Sequence, residues 1–173
     1  VVYAPIAHRL GISKLKNLLE DLSFFYLYPN EFHAIDKYIK ANKQNLQLKL
    51  NRFIEEVRDV INKSGMQRKE FEIEYRVKHY YSIHLKMQRK GVSIEEVLDL
   101  LAIRIIVKDE IECYKVLGLL HLHFTPLIAR FKDYIALPKD NGYQTIHTTL
   151  FHNNTIIEAQ IRTKEMHHLA QYG

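Results

Sequence analysis

Residues Ile128 to Arg162 read IARFKDYIALPKDNGYQTIHTTLFHNNTIIEAQIR, and the second half of this stretch decides the fold. Polar and apolar residues alternate from Thr145 to Phe151 and again from Ile156 to Arg162, which is typical of strands with one buried face. Between the two runs, Asn153 and Asn154 tolerate the positive φ angles that a two-residue hairpin turn requires. The sequence therefore predicts a β-hairpin.

The turn also sets the register of this hairpin. If His152 and Thr155 close the loop, Thr149 lies opposite Glu158. Because strand side chains alternate with a period of two, each set of alternate residues shares one face. One face carries Thr145, His147, Thr149, Glu158, Gln160 and Arg162, and the other, expected in the core, carries Ile146, Thr148, Leu150, Ile157, Ala159 and Ile161. The polar face is either a solvated sheet surface or a working surface.

The residues just before the hairpin favour a working surface. Two cations, an amide, a glycine and an aromatic ring lead into its first strand as Lys132, Lys139, Asn141, Gly142 and Tyr143. Cations bind phosphates, an aromatic ring stacks on a base, and a carboxylate such as Glu158 holds a metal ion. These are the components of a nucleotide site.

The run RFKDYIALPKDNGYQTIHTT followed by EAQIRT strongly resembles the synthetase domain of the RelA/SpoT family, the (p)ppGpp synthetases. Weaker motifs extend the resemblance from about Ala4 to the last residue. It implies an α+β domain with a mixed β-sheet flanked by helices, related to nucleotidyltransferases. It also implies transfer of the β,γ-pyrophosphate of ATP to the 3′-hydroxyl of GDP or GTP, in the stringent response.

The resemblance implies roles for individual residues as well. Asp99, in DLLAIR, and Glu158 would be catalytic and would hold Mg²⁺, or Mn²⁺ in its place, and Glu158 would also draw the proton from the 3′-hydroxyl. ATP would be bound by Arg76, Lys78, His79, Ser82 and Lys86. GDP or GTP would be bound by Lys132, Lys139, Asn141, Tyr143, His147 and Ala170, with Tyr143 stacked on the guanine. The family's GRPKH is here Tyr75-Arg76-Val77-Lys78-His79, which keeps the charged residues but not the glycine and proline.

Two motifs bear on the parent protein. Arg130-Phe131-Lys132-Asp133 matches the RxKD form of SpoT-like and bifunctional Rel members. No His-Asp dipeptide occurs, although the hydrolase half of the family is recognised by one, so (p)ppGpp hydrolysis cannot be assigned to this chain. We expect a piece of a longer protein that lacks the hydrolase motif and the C-terminal regulatory region. Through regions absent here, the parent would engage the ribosome or other regulators.

Composition narrows the class of protein. A net charge of +5 and a pI near 9.2 indicate an anionic partner without naming it. The single cysteine, Cys113, forms no disulfide framework and fits a reducing cytosol. The sequence shows neither an apolar run of membrane-spanning length nor a signal peptide, so we expect a cytoplasmic protein without membrane contact. It also lacks RNP-type and GXXG motifs, so we predict no direct nucleic-acid binding.

Helices are predicted before the sheet. The first, Ala4 to Leu27, would bury a stripe of Ile12, Leu15, Leu18, Leu19, Leu22 and Phe25 and end before Pro29. The second would run from Glu31 to Ser64, with Gly65 as its stop. We divide the chain into a helical connector, residues 1–45, and a synthetase domain, residues 46–173.

The remaining elements alternate strand and helix. Phe71 to Val77 is predicted as a strand, with Phe71, Ile73 and Tyr75 towards the core and Arg76 and Lys78 on the other face. A helix from Tyr80 to Arg89 would add its first amides to an anion site. A capping box at Ser93 would open a helix through Leu100. Three further elements complete the domain. A buried strand is predicted from Ala102 to Val107, interrupted by Arg104. A helix from Glu110 to His123 would pack through Ile111, Tyr114, Val116, Leu117 and Leu120, and a last helix, capped by Thr163, would run to Tyr172 and pack through Met166, Leu169 and Ala170.

Two other functions are compatible with the sequence. A different nucleotidyltransferase would keep an acid pair and a basic strand, but it would not need Lys139 and Tyr143. A catalytically silent domain that senses guanine nucleotides would keep Tyr143 and lose an acid, whereas both acids are in this sequence.

Overall fold

A mixed β-sheet with helices on both faces forms the fold in the computed structural model, which describes residues 13–97 and 100–172. Within these ranges, no helix is both long and apolar enough to cross a membrane. The helices are α1 (Ser13–Leu27), α2 (Pro29–Ala41), α3 (Lys43–Lys63), α4 (Tyr80–Lys90), α5 (Glu110–His123) and α6 (Lys164–Tyr172). The strands are β1 (Glu72–Val77), β2 (Leu101–Val107), β3 (Thr125–Pro126), β4 (Lys132–Asp133), β5 (Ile146–His152) and β6 (Thr155–Thr163).

The strands are ordered β1-β2-β6-β5-β3, and β4 pairs with β5 beside β3. β2 and β6 are parallel, and the other neighbours are antiparallel. The predicted hairpin register is confirmed, since Thr149 lies opposite Glu158 and His152 lies opposite Thr155. Asn153 and Asn154 have φ angles of 47° and 62°, as the two-residue turn requires.

One face of the sheet carries the main core. Helices α3 and α5 pack there because each has apolar residues at helical spacing on one side. Cys113 is buried in this core, and burial raises the pKa of its thiol to about 12, so it acts as an apolar packing group. The core includes Leu50, Phe53, Ile54, Val57 and Ile61 of α3, Val116 and Leu120 of α5, and Leu101, Ile103, Ile105, Ile146, Leu150, Ile157, Ala159 and Ile161 of the sheet.

A second, smaller core joins the N-terminal helices to α4. Phe24 of α1 and Ile35 of α2 are buried with Ile83 of α4. The ring of His84 stacks on Phe24 with centroids 4.5 Å apart. Ile94, Val97 and Leu100 close this cluster from the segment before β2. The helices that precede the sheet are therefore packed against the helix that follows β1.

The N-terminal helices differ from their prediction in two respects. Four residues of the predicted stripe, Leu15, Leu18, Leu22 and Phe25, are exposed, with Leu18 at 57%, because α1 faces α2 and α4 through Phe24 instead. Leu19 is half-buried, and Ile12 lies outside the described residues. The predicted helix from Glu31 to Ser64 is two helices, α2 and α3, that meet at Asn42. Pro29 begins α2, where a proline has no helical hydrogen bond to lose.

Several residues predicted in the core are exposed. Tyr75 is 52% exposed, since β1 is an edge strand and nothing described covers that part of it. Ile111 and Tyr114 lie on the outer side of α5, whose buried side includes Cys113. Leu169 of α6 is half exposed. The helix expected from Ser93 to Leu100 is a short 3-10 turn, Ile94–Glu96, in the described part of that segment.

Glu56 of α3 joins three elements through its carboxylate. It accepts hydrogen bonds from His123 Nε2 at 2.8 Å and from His152 Nε2 at 2.6 Å. The bond from His123 is the largest cause that holds the pKa of Glu56 below its ordinary value of 4.5, although burial opposes it. A carboxyl with a lower pKa in the folded state stabilises the fold above its unfolded pKa, and this contribution is lost as the pH falls through the folded pKa.

We therefore expect the free energy of unfolding to fall less steeply in Glu56→Gln than in the wild type between about pH 6 and about pH 3. Urea titrations at several pH values measure this slope. Glu55→Gln is the control, because its side chain is 74% exposed on the same helix. Equal slopes in Glu56→Gln and the wild type would show that the ion pair does not contribute.

Candidate active site

A cavity of about 730 Å³ lies on the polar face of the sheet, between α4, α6 and the loop before β5. The alternation of β6 places Glu158, Gln160 and Arg162 on this face, because their neighbours Ile157, Ala159 and Ile161 point into the core. Eight cations line the cavity, namely Lys16, Arg76, Lys78, Lys86, Arg89, Arg104, Lys139 and Arg162. Glu158 is the carboxylate among the described lining residues, so the cavity suits a polyanion.

Glu158 is held ionised by its neighbours. Lys78 Nζ lies 3.0 Å from its Oε2, and Gln160 Nε2 donates to its Oε1 at 3.0 Å. Burial by itself would raise the pKa of Glu158, but Lys78 and Gln160 outweigh burial and lower the pKa to about 2. The carboxylate is therefore charged throughout the physiological pH range.

The residues predicted to bind ATP lie together in one wall of the cavity. β1 supplies Arg76, the residues after it supply Lys78 and His79, and α4 supplies Ser82 and Lys86. Ser82, Lys86 and Arg89 share a helix face, as their spacing predicts. Burial, with a smaller effect from Arg104, lowers the pKa of Arg76. The Nε atom of Arg76 is buried without a hydrogen-bond partner among the described residues, so a donor remains for a ligand.

The start of α4 differs from its predicted role as an anion site. Asp21 of α1 accepts from the backbone N–H of Tyr80 at 3.3 Å and of Tyr81 at 2.9 Å. Glu20 lies 3.2 Å from His79 Nε2. An acid from the connector thus takes the place that the prediction gave to a bound anion, because a carboxylate satisfies the free amides of a helix start.

The opposite wall of the cavity holds the loop from Lys139 to Tyr143. Its turn is closed by Gly142 N–H donating to Lys139 O at 2.8 Å, and Gly142 has a φ of 81°, which favours glycine. The Tyr143 N–H donates to Asn141 Oδ1 at 3.0 Å. The ring of Tyr143 is half-buried, with Lys139 Nζ 5.6 Å from its centroid. An aromatic ring at a cavity wall beside a cation provides a surface for a base.

His147 lies beside this ring on β5. Its Nε2 is 3.3 Å from Tyr143 Oη, and burial lowers the pKa of His147 to about 4. The imidazole is therefore neutral at physiological pH and acts as a hydrogen-bonding group. Ala170 of α6 also lines the cavity, as predicted for the base pocket.

Of the residues predicted in the site, one is not among the described residues that line this cavity, and one lies outside the described residues. Lys132 is exposed on β4, where it pairs with His147 across the strands, but it is not among the described lining residues. Its position on a two-residue edge strand leaves the side chain in solvent. Asp99 lies outside the described residues, so its role as a catalytic and metal-binding acid stays a prediction.

Three polar residues of the site were given no role by the sequence. Gln160 Oε1 accepts from Arg104 Nε at 3.2 Å and from Arg162 Nη2 at 2.6 Å, so one amide links β2 and β6. The sequence contained a signal for each. Arg104 interrupts an apolar strand, and Gln160 and Arg162 fall on the polar hairpin face, where a buried cation needs partners.

The oxygen atoms that this site offers as metal ligands meet the needs of a hard cation only in part. Glu158 offers charged carboxylate oxygens to the cavity, which is the ligand chemistry that Mg²⁺ prefers. Within the described ranges, no group of three His, Cys, Asp or Glu side chains is arranged to hold a metal ion. A metal at Glu158 would need further oxygen ligands, from Asp99 or from substrate phosphates.

Among the described residues, the polar face of the mixed sheet carries an ionised acid, Glu158, in a basic cavity, which is suited to bind a phosphorylated ligand. Residues 75–173 match the family described as "Region found in RelA / SpoT proteins". The chain belongs to the RelA/SpoT family.

Three relatives illustrate the similarity. The chain is 48% identical to the guanosine-3′,5′-bis(diphosphate) 3′-pyrophosphohydrolase of Aquifex aeolicus, over 99% of this chain and 25% of that protein. It is 39% identical to the bifunctional (p)ppGpp synthase/hydrolase SpoT of Escherichia coli, over 99% of this chain and 24% of that protein. The structure of small alarmone synthetase 2 from Bacillus subtilis aligns with a TM-score of 0.56 and 28% identity, covering 72% of this chain and 73% of that one. The chain thus spans about a quarter of these two curated relatives.

Proposed function

We propose that this domain is a GTP/GDP pyrophosphokinase, which transfers the β,γ-pyrophosphate of ATP to the 3′-hydroxyl of GDP or GTP. The observation that carries the proposal is the division of one cavity into two walls around Glu158. Arg76, Lys78 and Lys86 line the cavity from β1 and the segment after it, on one side of β6, and Lys139 and Tyr143 line it from the loop before β5, on the other side. Two phosphorylated nucleotides with a reacting centre between them require such a division. The family and its solved synthetase relative support the same function.

The reaction balances without a covalent enzyme intermediate. The 3′-oxygen attacks the β-phosphorus of ATP, the bond between that phosphorus and the α,β-bridging oxygen breaks, and AMP leaves. The proton of the 3′-hydroxyl must pass to a base. The protein then contributes mainly alignment and neutralisation of charge, for which the cations of both walls are suited.

The role of Glu158 follows from its charge. A carboxyl whose pKa is about 2 is a weak base while Lys78 stays 3.0 Å away. If Lys78 turns towards a substrate phosphate, the pKa of Glu158 rises and its basicity increases. We therefore propose that Glu158 accepts the proton only after the donor has drawn Lys78 away.

Glu158 and Asp99 would hold Mg²⁺, with Mn²⁺ as the alternative. The ion would supply charge neutralisation on the transferred phosphates. Glu158 fits this role because it is ionised and faces the cavity. Lys78 fits a phosphate ligand because its position beside Glu158 brings an ammonium group to the same point.

Incubation of the protein with ATP, GDP and Mg²⁺, followed by chromatographic separation of the nucleotides, tests the proposal. We expect AMP and a guanosine carrying a 3′-diphosphate, in equal amounts. Release of inorganic pyrophosphate would instead indicate another nucleotidyltransferase. Binding of GDP without any turnover, under conditions where a relative is active, would indicate a nucleotide sensor.

The donor wall should be separable from the acceptor wall by kinetics. We expect Lys86→Ala to raise the KM for ATP roughly tenfold, because a charged phosphate contact is lost, while the KM for GDP stays within about twofold. Arg76→Ala should act in the same direction. Lys90→Ala is the control, since Lys90 is exposed on the same helix and does not line the cavity. Equal losses towards both substrates would argue against two phosphate sites.

The rest of the parent protein is proposed from the resemblance. We place the helical connector at residues 1–45 and the synthetase domain at residues 46–173, close to the junction of α2 and α3 at Asn42. The parent would work in the cytoplasm, where its nucleotide substrates are, and would also hydrolyse (p)ppGpp through a domain outside this chain. It would meet the ribosome or other regulators through regions outside this chain as well.

A further inference from the structure

Arg162 is a buried cation whose described hydrogen-bond partners are neutral. It lies on β6 with 2% of its surface exposed. Its Nη2 donates to Tyr143 Oη at 2.8 Å and to Gln160 Oε1 at 2.6 Å. Its Nε has no partner among the described residues. The position of the guanidinium therefore does not satisfy all of its own N–H donors. Its contact with Tyr143 must be explained in another way.

Arg162 also completes a chain of hydrogen bonds across the cavity. Gln160 Nε2 donates to Glu158 Oε1 at 3.0 Å, and Gln160 Oε1 accepts from Arg162. Arg162 in turn donates to Tyr143 Oη, so the chain runs from the acid of the site to the ring of the opposite wall. Each member lies on the polar face of the hairpin or in the loop that precedes it.

The ring of Tyr143 needs such a support, because its backbone lies before β5 and outside the sheet. The loop is closed by hydrogen bonds within its own turn, from Lys139 N–H to Tyr143 O at 3.1 Å, from Gly142 N–H to Lys139 O at 2.8 Å and from Tyr143 N–H to Asn141 Oδ1 at 3.0 Å. These bonds fix the backbone, and His147 Nε2 lies 3.3 Å from the hydroxyl of the ring. The guanidinium carbon of Arg162 lies 5.4 Å from the ring centroid, and its bond to Oη fixes the far end of the ring.

We infer that Arg162 is a positioning residue for the acceptor nucleotide, which orients the ring of Tyr143 for stacking on the purine base. The inference rests on the proposed function, because it takes GDP or GTP as the ligand of Tyr143. Arg162 acts through the phenolic hydroxyl rather than by contact with the reacting atoms. The hydroxyl of Tyr143 thus belongs to the site even though stacking itself needs only the ring.

A purely structural role would not account for a cation at this position. Burial is costly for a charge without a charged partner, and an apolar side chain of similar length would fill the same space. Arg162 is nevertheless joined to Tyr143, to Gln160 and, through Gln160, to Glu158. The contacts that justify the cation therefore lie in the site.

A double-mutant cycle between Arg162 and the hydroxyl of Tyr143 tests the inference. We expect Arg162→Met to weaken GDP binding in calorimetry, and to raise the KM for GDP, roughly five- to tenfold, as the loss of one hydrogen bond to a charged group predicts. The KM for ATP should stay within about twofold. Tyr143→Phe should give most of the same loss, and Arg162→Met should cost less than about twofold more in the Tyr143→Phe background.

Arg58→Met on α3 is the matched control, since Arg58 is distant from the cavity lining and its nearest acid is Glu55 at 3.8 Å. Arg162→Lys, which keeps a charge, should recover part of the GDP affinity. Equal costs of Arg162→Met in both backgrounds, or GDP binding by Tyr143→Phe as tight as in the wild type, would overturn the inference. Tyr143→Phe removes Oη of a half-buried residue, and with it both the bond from Arg162 and the contact with His147, so GDP binding by this variant as tight as in the wild type overturns the inference even if Arg162→Met does not fold. A wild-type protein that binds no GDP would overturn the proposed function itself, and the inference with it.

Discussion

Glu158→Gln is expected to reduce transfer by roughly 100- to 1,000-fold while GDP binding persists. The substitution removes the carboxylate charge that lies between the two walls of the cavity, and it also removes the only proton acceptor proposed for the 3′-hydroxyl. Glutamine keeps the shape and one acceptor oxygen, so Gln160 retains its hydrogen bond. Each tenfold loss of rate corresponds to ~1.4 kcal/mol of barrier, so the expected loss is ~3–4 kcal/mol.

Quantified product formation and calorimetry with GDP together measure this effect. Glu55→Gln is the control, because it changes the same residue type at a site that is 74% exposed on α3. Circular dichroism must show an intact fold, since Lys78 loses its ion-pair partner in Glu158→Gln. Turnover at the wild-type rate in a folded Glu158→Gln would end the catalytic assignment.

Tyr143→Ala is expected to weaken GDP or GTP binding roughly tenfold or more, because stacking on a base is worth ~1–3 kcal/mol. The ring lies at the cavity wall with Lys139 and Arg162 beside it, so its removal deletes the apolar surface for the base. ATP should be affected little, since the cations of the donor wall remain. Calorimetry with each nucleotide measures the difference.

The matched control is Tyr26→Ala, since Tyr26 is 76% exposed on α1. Tyr143→Phe should fall between the wild type and the alanine variant, because it keeps the ring and loses the bond from Arg162. An alanine variant that binds GDP as tightly as the wild type, or that is unfolded, would refute the stacking role.

The hairpin could be predicted in detail because its determinants are local. Two strands with a period of two and one Asn-Asn turn fix the faces, so the sequence alone places Glu158 and Arg162 on the same side. The shared faces of the residues proposed to bind ATP followed for the same reason, since Arg76 and Lys78 are two apart and Ser82 and Lys86 are four apart. Their role in binding ATP came from the resemblance and stays a prediction. Regular spacing was sufficient for the faces of the hairpin, where the turn also fixes the register.

Contacts between distant segments could not be predicted in this way. Asp21 is about 60 residues from the amides of Tyr80 and Tyr81, and nothing in its own helix marks it as their partner. The stripe of α1 had the right period, but periodicity does not say which neighbour covers a face, and Phe24 was the residue that α2 and α4 buried. Lys132 has the right charge, but it is exposed on the two-residue strand β4 and is not among the described lining residues, so its role stays a prediction.

Because Asp21 of α1 accepts hydrogen bonds from the start of α4, release of α1 from α4 and binding of an anion to the same amides depend on each other. An anion that bound the amides of Tyr80 and Tyr81 would have to displace this carboxylate. Binding of such an anion would raise the equilibrium constant for release of α1 by some factor. Release of α1 would then raise the affinity for the anion by the same factor. A change in the contact between α1 and α4 would therefore change the affinity of these amides for such an anion.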